Sequence, residues 1–160
     1  MHLMYLLSIA AATKSIDLAS AYFVPDDLTV GALVAAMQRG VRVRIIMPGN
    51  KTDAKSVRSA SRALWGRILQ AGAELYEYEP TMVHVKLLIV DGVFASVGSA
   101  NLDNRSIRLN DEANLDVLDS RFAAEQTRLF EADKRRSRPM NLDSKGKLLL
   151  GEPLDQVAGL

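Results

Sequence analysis

The stretch HVKLLIVDGVFASVGSAN, His84–Asn101, decides how this chain of 160 residues is to be read. Val, Leu and Ile dominate its first half, and Asp91-Gly92 is the residue pair of a tight hairpin turn. The reading is a strand over 84–90, a turn, and a return strand over 93–97. Side chains alternate across a strand, so His84 and Lys86 fall on one face and Val85, Leu87 and Ile89 on the other. An otherwise apolar strand gains nothing in packing from a neighbouring His and Lys, and burying an unpaired Lys costs several kcal/mol or shifts its pKa. An anion is expected in front of that pair. Where the hairpin ends, Gly98 permits close backbone approach to a ligand, while Ser99 and Asn101 supply a hydroxyl and an amide. One nucleophile, one fixed positive charge and neutral donors suit a tetrahedral phosphate that gains charge on its equatorial oxygens.

Outward from the hairpin, strands and helices alternate, as in an α/β layered domain. The apolar MHLMYLLSIAAA at the start reads as an amphipathic helix, because crossing a bilayer takes about 20 residues and no basic leader precedes it. SIDLASAYF (15–23) reads as a buried strand. Pro25-Asp26-Asp27 opens a helix that Gly40 stops. VRVRIIM (41–47) is a strand, 53–71 a long helix stopped by Gly72, and 73–78 a further strand. A short strand over 114–118 and a helix over 120–133, capped by Ser120, complete the pattern. It places a domain over 1–140 and a weakly ordered tail over 141–160.

Composition excludes several classes. Cysteine is absent, which rules out disulfides and thiolate metal sites. Two histidines, His2 and His84, are too few for a histidine-rich metal site, and nothing demands a carboxylate-only one. A formal charge of +1 does not mark a nucleic-acid binder. In the helix over 53–71, Val57, Ala60, Leu64, Ile68 and Ala71 form an apolar side. Lys55, Arg58 and Arg62, with Lys51 before them, line the opposite side, and Trp65 lies at that stripe's edge. The stripe reads as a solvated face first and as a patch for anionic lipid headgroups second, each basic residue then being worth about 1 kcal/mol. Lys134-Arg135-Arg136 and Arg138 form a second basic cluster at a helix end, where the dipole favours cations.

The spacing within the hairpin is more specific. His84-x-Lys86, four residues, Asp91, six residues, then Gly98-Ser99-x-Asn101 resembles the signature of the phospholipase D superfamily. With YFVPDD at Tyr22–Asp27, YEYEP at Tyr76–Pro80 and GSANLDNRSIRLNDEANL at Gly98–Leu115, it resembles the C-terminal catalytic half of bacterial cardiolipin synthases, from about Met4 to Asp143. The resemblance implies a central mixed β-sheet flanked by helices, one repeat of the usual two-lobed enzyme. It implies His84 as the nucleophile forming a phosphohistidine, Lys86, Ser99 and Asn101 as the phosphate-binding groups, and Glu112, with Asp111 as its rival, orienting His84. Asp91, like Gly98, belongs to the motif's framework, as a turn residue. No metal or cofactor is implied.

Family members carry two such motifs, the second His serving as general acid and then base. This chain has one, and His2 is followed by neither the Lys nor the Gly-Ser-x-Asn. It therefore needs a second copy about a twofold axis or a missing N-terminal half, the latter being favoured. The substrate implied is a phosphatidylglycerol-like phospholipid, handled peripherally at the cytoplasmic side of the membrane by transfer or by hydrolysis. The alternatives are a homodimeric metal-independent nuclease, disfavoured by the near-neutral charge and few aromatics, and an inactive orphan half. Acceptor alcohol and acyl preference are silent in the sequence.

Overall fold

The computed structural model describes residues 2–52, 55–103, 110–144, 146 and 148–150. Its centre is an eight-stranded mixed sheet. In chain order the strands are β1 (Ser15–Ser20), β3 (Arg42–Pro48), β4 (Glu74–Tyr78), β5 (Lys86–Val90), β6 (Phe94–Gly98), β8 (Asn114–Leu118), β9 (Ser137–Leu142) and β10 (Leu148–Leu150). Their spatial order is β10-β9-β4-β3-β1-β5-β6-β8. β1, β3 and β4 run parallel; all other pairings in this sheet are antiparallel. Two short strands, β2 (Phe23–Val24) and β7 (Leu102–Asp103), pair separately beside the end of β1. The expected layered α/β architecture is what the chain adopts, although the single strand read over 15–23 is two, broken by a bend at Ala21-Tyr22.

Strand alternation sorts the core into two layers. Ile16, Leu18, Val43, Ile45, Leu75, Leu88 and Val90 meet α1 (His2–Ala11), α2 (Asp27–Gln38) and α3 (Lys55–Gln70) through Tyr5, Ile9, Val30, Leu33, Trp65 and Ile68. Ala19, Ile46, Leu87, Ile89 and Ala95 face the other way, onto Ala123 and Phe130 of α4 (Ser120–Lys134). Within that second layer, Arg44 forms a bidentate pair with Asp17 (2.6 and 2.7 Å) and reaches Glu131 of α4. Arg44 and Asp17 are Cα partners on adjacent parallel strands, and both are buried. This ion pair was not apparent from the alternation at the start of β3.

Four local expectations change. Trp65 is fully buried and donates to Ser61 Oγ at 2.9 Å, so it belongs to the core and not to the edge of a basic stripe. The buried face of α3 runs through Ser61, Trp65 and Ile68, whereas Leu64 is only half-buried. A large indole wins the inward position over the smaller aliphatic residue next to it in the chain. Asp53, the expected helix start, and the side chains of Lys55, Val57, Arg58 and Ala60 lie outside the described residues. α4 is capped by Asp119, whose carboxylate accepts from Phe122 N–H at 2.8 Å, and not by Ser120. Residues 141 and 142 are not tail: β9 runs to Leu142 and pairs with β10 beyond it, so the sheet passes the expected boundary at 140. Residues 151–160 lie outside the described ones. Half of the basic cluster after α4 is built in: Arg138 is buried against Glu77 at 3.0 Å and Lys134 pairs with Glu131 at 3.2 Å, whereas Arg135 and Arg136 are exposed.

The hairpin turn is where expectation and structure agree most closely. Asp91 and Gly92 both take positive φ (55° and 68°), as a primed turn requires. Asp91 does more than turn the chain. Its carboxylate accepts from Thr13 N–H and hydroxyl (2.9 and 2.8 Å), Lys14 N–H (2.7 Å) and Ser15 N–H (2.9 Å). Partial burial alone would push this carboxyl up, but these donors outweigh it and hold it below the usual aspartate range. Because the folded-state value is lowered, the carboxylate's contribution is complete above the ordinary aspartate value near 3.8 and fades as acid carries the pH down through the folded value. Asp91→Asn keeps a residue that tolerates positive φ and removes the charge; in urea unfolding it is expected to cost about 1–2 kcal/mol at neutral pH. It should also flatten the loss of stability that the natural chain shows on acidification to about pH 3.

Candidate functional site

The residues singled out in the sequence gather at the end of the sheet where β1 finishes, β5 begins and β6 leaves. β1 and β5 pair down to Ser20↔Lys86, and the ladder stops there. His84 and Val85 therefore precede the strand instead of opening it. Val85 is 39% exposed, so it does not join Leu87 and Ile89 in the core as strict alternation predicts. Ala21 N–H, bonded to Val85 O at 3.0 Å, ties this segment to the residue that follows β1. His84 is exposed at the rim, and Lys86, half-buried, donates from Nζ to the His84 carbonyl at 3.1 Å. The ammonium is thereby held beside the backbone that carries the imidazole.

Asn101 is 7% exposed. Its Oδ1 accepts from Tyr22 N–H at 3.2 Å, and a main-chain donor settles which end of the amide is oxygen. The NH2 is then the end left to donate. Ser99 donates to Glu112 and accepts from Ala113 N–H at 3.0 Å, while Asn110 Nδ2 donates to the other Glu112 oxygen at 3.2 Å. Glu112 is half-buried and Asp111 exposed, so of these two acids Glu112 is the one attached to the Ser99 loop. It meets the site through Ser99. The ring neighbour of His84 is Tyr22, edge to face at 5.7 Å and 84°.

Gly98 is needed for a different reason from the one its sequence context implies. A Cβ there would stand 2.3 Å from Ala113 O and 2.6 Å from Asn114 Cα, so the close approach is to β8 and not to a ligand. Gly98 pairs with Asn114, and Ser99 N–H continues onto Ala113 O at 3.0 Å. That contact sets where the Ser99–Asn101 loop departs. His2 takes no part: its Nε2 lies 3.1 Å from Thr29 Oγ1 and 3.5 Å from Asp26 Oδ1, at the N-terminus of α2. Two residues not singled out in the sequence do take part. Ser20 Oγ donates to Tyr22 O at 2.8 Å and accepts from Leu102 N–H at 3.3 Å, and Tyr22 links Asn101 to His84. Their only sequence signal is the YFVPDD segment that Tyr22 opens. Among the described residues, no three His, Asp or Glu side chains cluster as metal ligands would.

Chemically, the site presents an accessible imidazole, an ammonium, a hydroxyl polarised by a carboxylate and an amide donor at one end of the sheet's strands. That set can receive a tetrahedral anion and attack its centre.

Comparison with known proteins gives a consistent result. Residues 5–134 match the family described as "Cardiolipin synthase, PLD-like domain". The chain is 40% identical over 140 residues to cardiolipin synthase 2 of Bacillus anthracis, covering 88% of this chain and 27% of that protein. It is 38% identical over 136 residues to cardiolipin synthase A of Pseudomonas fluorescens, covering 85% and 28%. It thus spans about a quarter of the length of these relatives. Among solved structures, the fold resembles that of Nuc, a phospholipase D family member from Salmonella typhimurium, with a TM-score of 0.77 at 23% identity, covering 88% of this chain and 90% of that one.

Gly98→Ala is expected to force β6 and β8 apart and cost about 1–3 kcal/mol. Gly66, in α3, has nothing within 4 Å of its would-be Cβ. Gly66→Ala should instead stabilise by about 0.5–1 kcal/mol. Thermal melts of the two variants against the natural chain check both signs.

Proposed function

This chain belongs to the cardiolipin synthase, PLD-like domain family, and on that footing we propose that it is one catalytic half-site for phosphatidyl transfer between phospholipid molecules. The observation that supports this most directly is the gathering of His84, Lys86, Ser99 and Asn101 at one end of the sheet, where the side chains of Lys86, Ser99 and Asn101 are each held by a hydrogen bond to a main-chain group. A ring nitrogen of His84 attacks the phosphorus of a phosphatidylglycerol-like donor. The P–N bond forms as the P–O bond to the departing glycerol breaks, and the second half-site's imidazole gives that oxygen its proton. A hydroxyl of a second phospholipid then attacks the phosphohistidine, its proton passes to the same imidazole, and His84 is released. Lys86 and the Asn101 amide offset the charge that accumulates on the phosphoryl oxygens. Glu112 holds the Ser99 hydroxyl in orientation and is the carboxylate we assign to orienting His84 in the assembled site.

The half-site is completed by a second copy of this chain or by an N-terminal half, because a single imidazole cannot be both nucleophile and proton donor in one step. A lipid substrate sets the work at a membrane surface. No helix among the described residues is long and apolar enough to cross a membrane, and the reading places the chain peripherally at the cytoplasmic side. Whether water or a lipid hydroxyl resolves the intermediate depends on how dry the assembled site is.

Incubation with labelled phosphatidylglycerol vesicles tests the reading. Cardiolipin and free glycerol are the expected products, and His84→Ala is expected to reduce the rate by a factor of about a thousand or more. Phosphatidic acid without cardiolipin would replace transfer by hydrolysis, and cleavage of plasmid DNA that depends on His84 would move the substrate to nucleic acid. Activity that survives His84→Ala would overturn the mechanism.

A further inference from the structure

The bend that separates β1 from β2 touches both arms of the site. Ala21 N–H holds Val85 O at 3.0 Å, next to His84. One residue later, Tyr22 N–H holds the Asn101 amide at 3.2 Å. Ser20 Oγ closes the bend by bonding to Tyr22 O and takes Leu102 N–H, the residue after Asn101. Three consecutive residues thus fix the distance between the segment that carries the imidazole and the loop that carries the amide. All but one of these bonds use main-chain groups of the bend, so side-chain substitution at 21 or 22 leaves them in place.

The Tyr22 side chain adds what the backbone cannot. His84 lies outside the β5 ladder, is exposed, and has the Tyr22 ring as its ring neighbour in a T-shaped arrangement. Without a lateral wall, the imidazole is free to occupy several staggered rotamers, which send its ring nitrogens in different directions. Tyr22 is half-buried, so its ring is not a load on the core.

We infer that Tyr22 is a positioning residue for the nucleophile, its backbone anchoring the phosphate-binding amide while its ring confines the imidazole to the attacking rotamer. This rests on the reading of His84 as nucleophile. The division of labour is specific: the ring governs the attack, and the main chain governs phosphate binding. A T-shaped aromatic contact is worth up to a factor of about ten in the population of one rotamer, and a misplaced attacking atom multiplies the loss.

The test uses the chain together with whatever supplies its second half-site, a phosphatidylglycerol vesicle assay, and orthovanadate as a probe of the attacking geometry. Tyr22→Ala is expected to lower kcat about tenfold or more with KM changed less than about twofold. Tyr22→Phe keeps the ring and should restore most of kcat. Vanadate, which takes the five-coordinate geometry of the transferring phosphoryl group, should bind about tenfold more weakly to Tyr22→Ala, and inorganic phosphate about equally to both. A ring that merely fills space would move thermal stability and leave the kcat-to-KM split and the vanadate-to-phosphate ratio unchanged. If Tyr22→Ala turns over and binds vanadate like the natural chain while His84→Ala is dead, the inference falls and the catalytic reading stands. If His84→Ala is fully active, the catalytic reading falls with it.

Discussion

At the end of the sheet remote from the site, the carboxylate of Asp91 gathers three backbone N–H groups and a hydroxyl from Thr13, Lys14 and Ser15. These donors belong to the junction where α1 gives way to β1. The turn of the β5–β6 hairpin is thereby fastened to the first residue of the central strand, and the register between β1 and β5 follows from it. Five residues further along β1, at a rise of about 3.3 Å each, that register delivers Ser20 opposite Lys86. A slip of one residue would exchange the faces of the sheet. It would also part the Ser20–Tyr22 bend from the His84 segment. A structural aspartate thus governs the geometry of a site about 16 Å away without touching it.

The second constraint is electrostatic. Arg44 and Asp17 sit side by side in the middle of the sheet, on the face covered by α4, with the guanidinium 5.1 Å from the Phe130 ring. Desolvating two charges is costly, and a buried pair returns that cost only when every donor and acceptor is matched. Here the match extends to Glu131, which brings α4 into the arrangement and orients it against β1 and β3. Apolar contacts alone would let a helix rotate on that layer. The three-membered bridge gives α4 one seat, and the segment that follows it, through Arg138 on Glu77, adds β9 to the far edge of β4.

Legibility in the sequence followed the range of the interactions. The helix starts and stops at Asp26 and Gly40, the hairpin at Asp91-Gly92 and the alternation of strands with helices rest on neighbours, and these were readable. So were the chemical types gathered at the site, because His84, Lys86, Ser99 and Asn101 are spaced by one hairpin. What escaped depends on partners distant in the chain. The requirement for glycine at 98 comes from Ala113 and Asn114 across the β6–β8 ladder. The part played by Tyr22 comes from residues 62 and 79 positions away. The phase of α3 turned on Trp65 being able to satisfy its indole N–H at Ser61 inside the core, a fact of packing and not of periodicity. β9 escaped because Pro139 within it breaks the look of a strand; the residue is exposed and precedes the stretch, Met140–Leu142, that pairs with β10, so it sits where β9 is an edge.

The place of His84 just ahead of β5 has a mechanical consequence. A residue inside a ladder is pinned by hydrogen bonds on both flanks, and moving its Cα means breaking them. The strand proper starts two positions later, so its hydrogen-bonded ladder ends before the imidazole is reached. The imidazole is therefore carried on backbone that the β1–β5 ladder does not pin, which on the proposed reading leaves it room to approach a phosphorus and to withdraw while the strand behind it keeps its register.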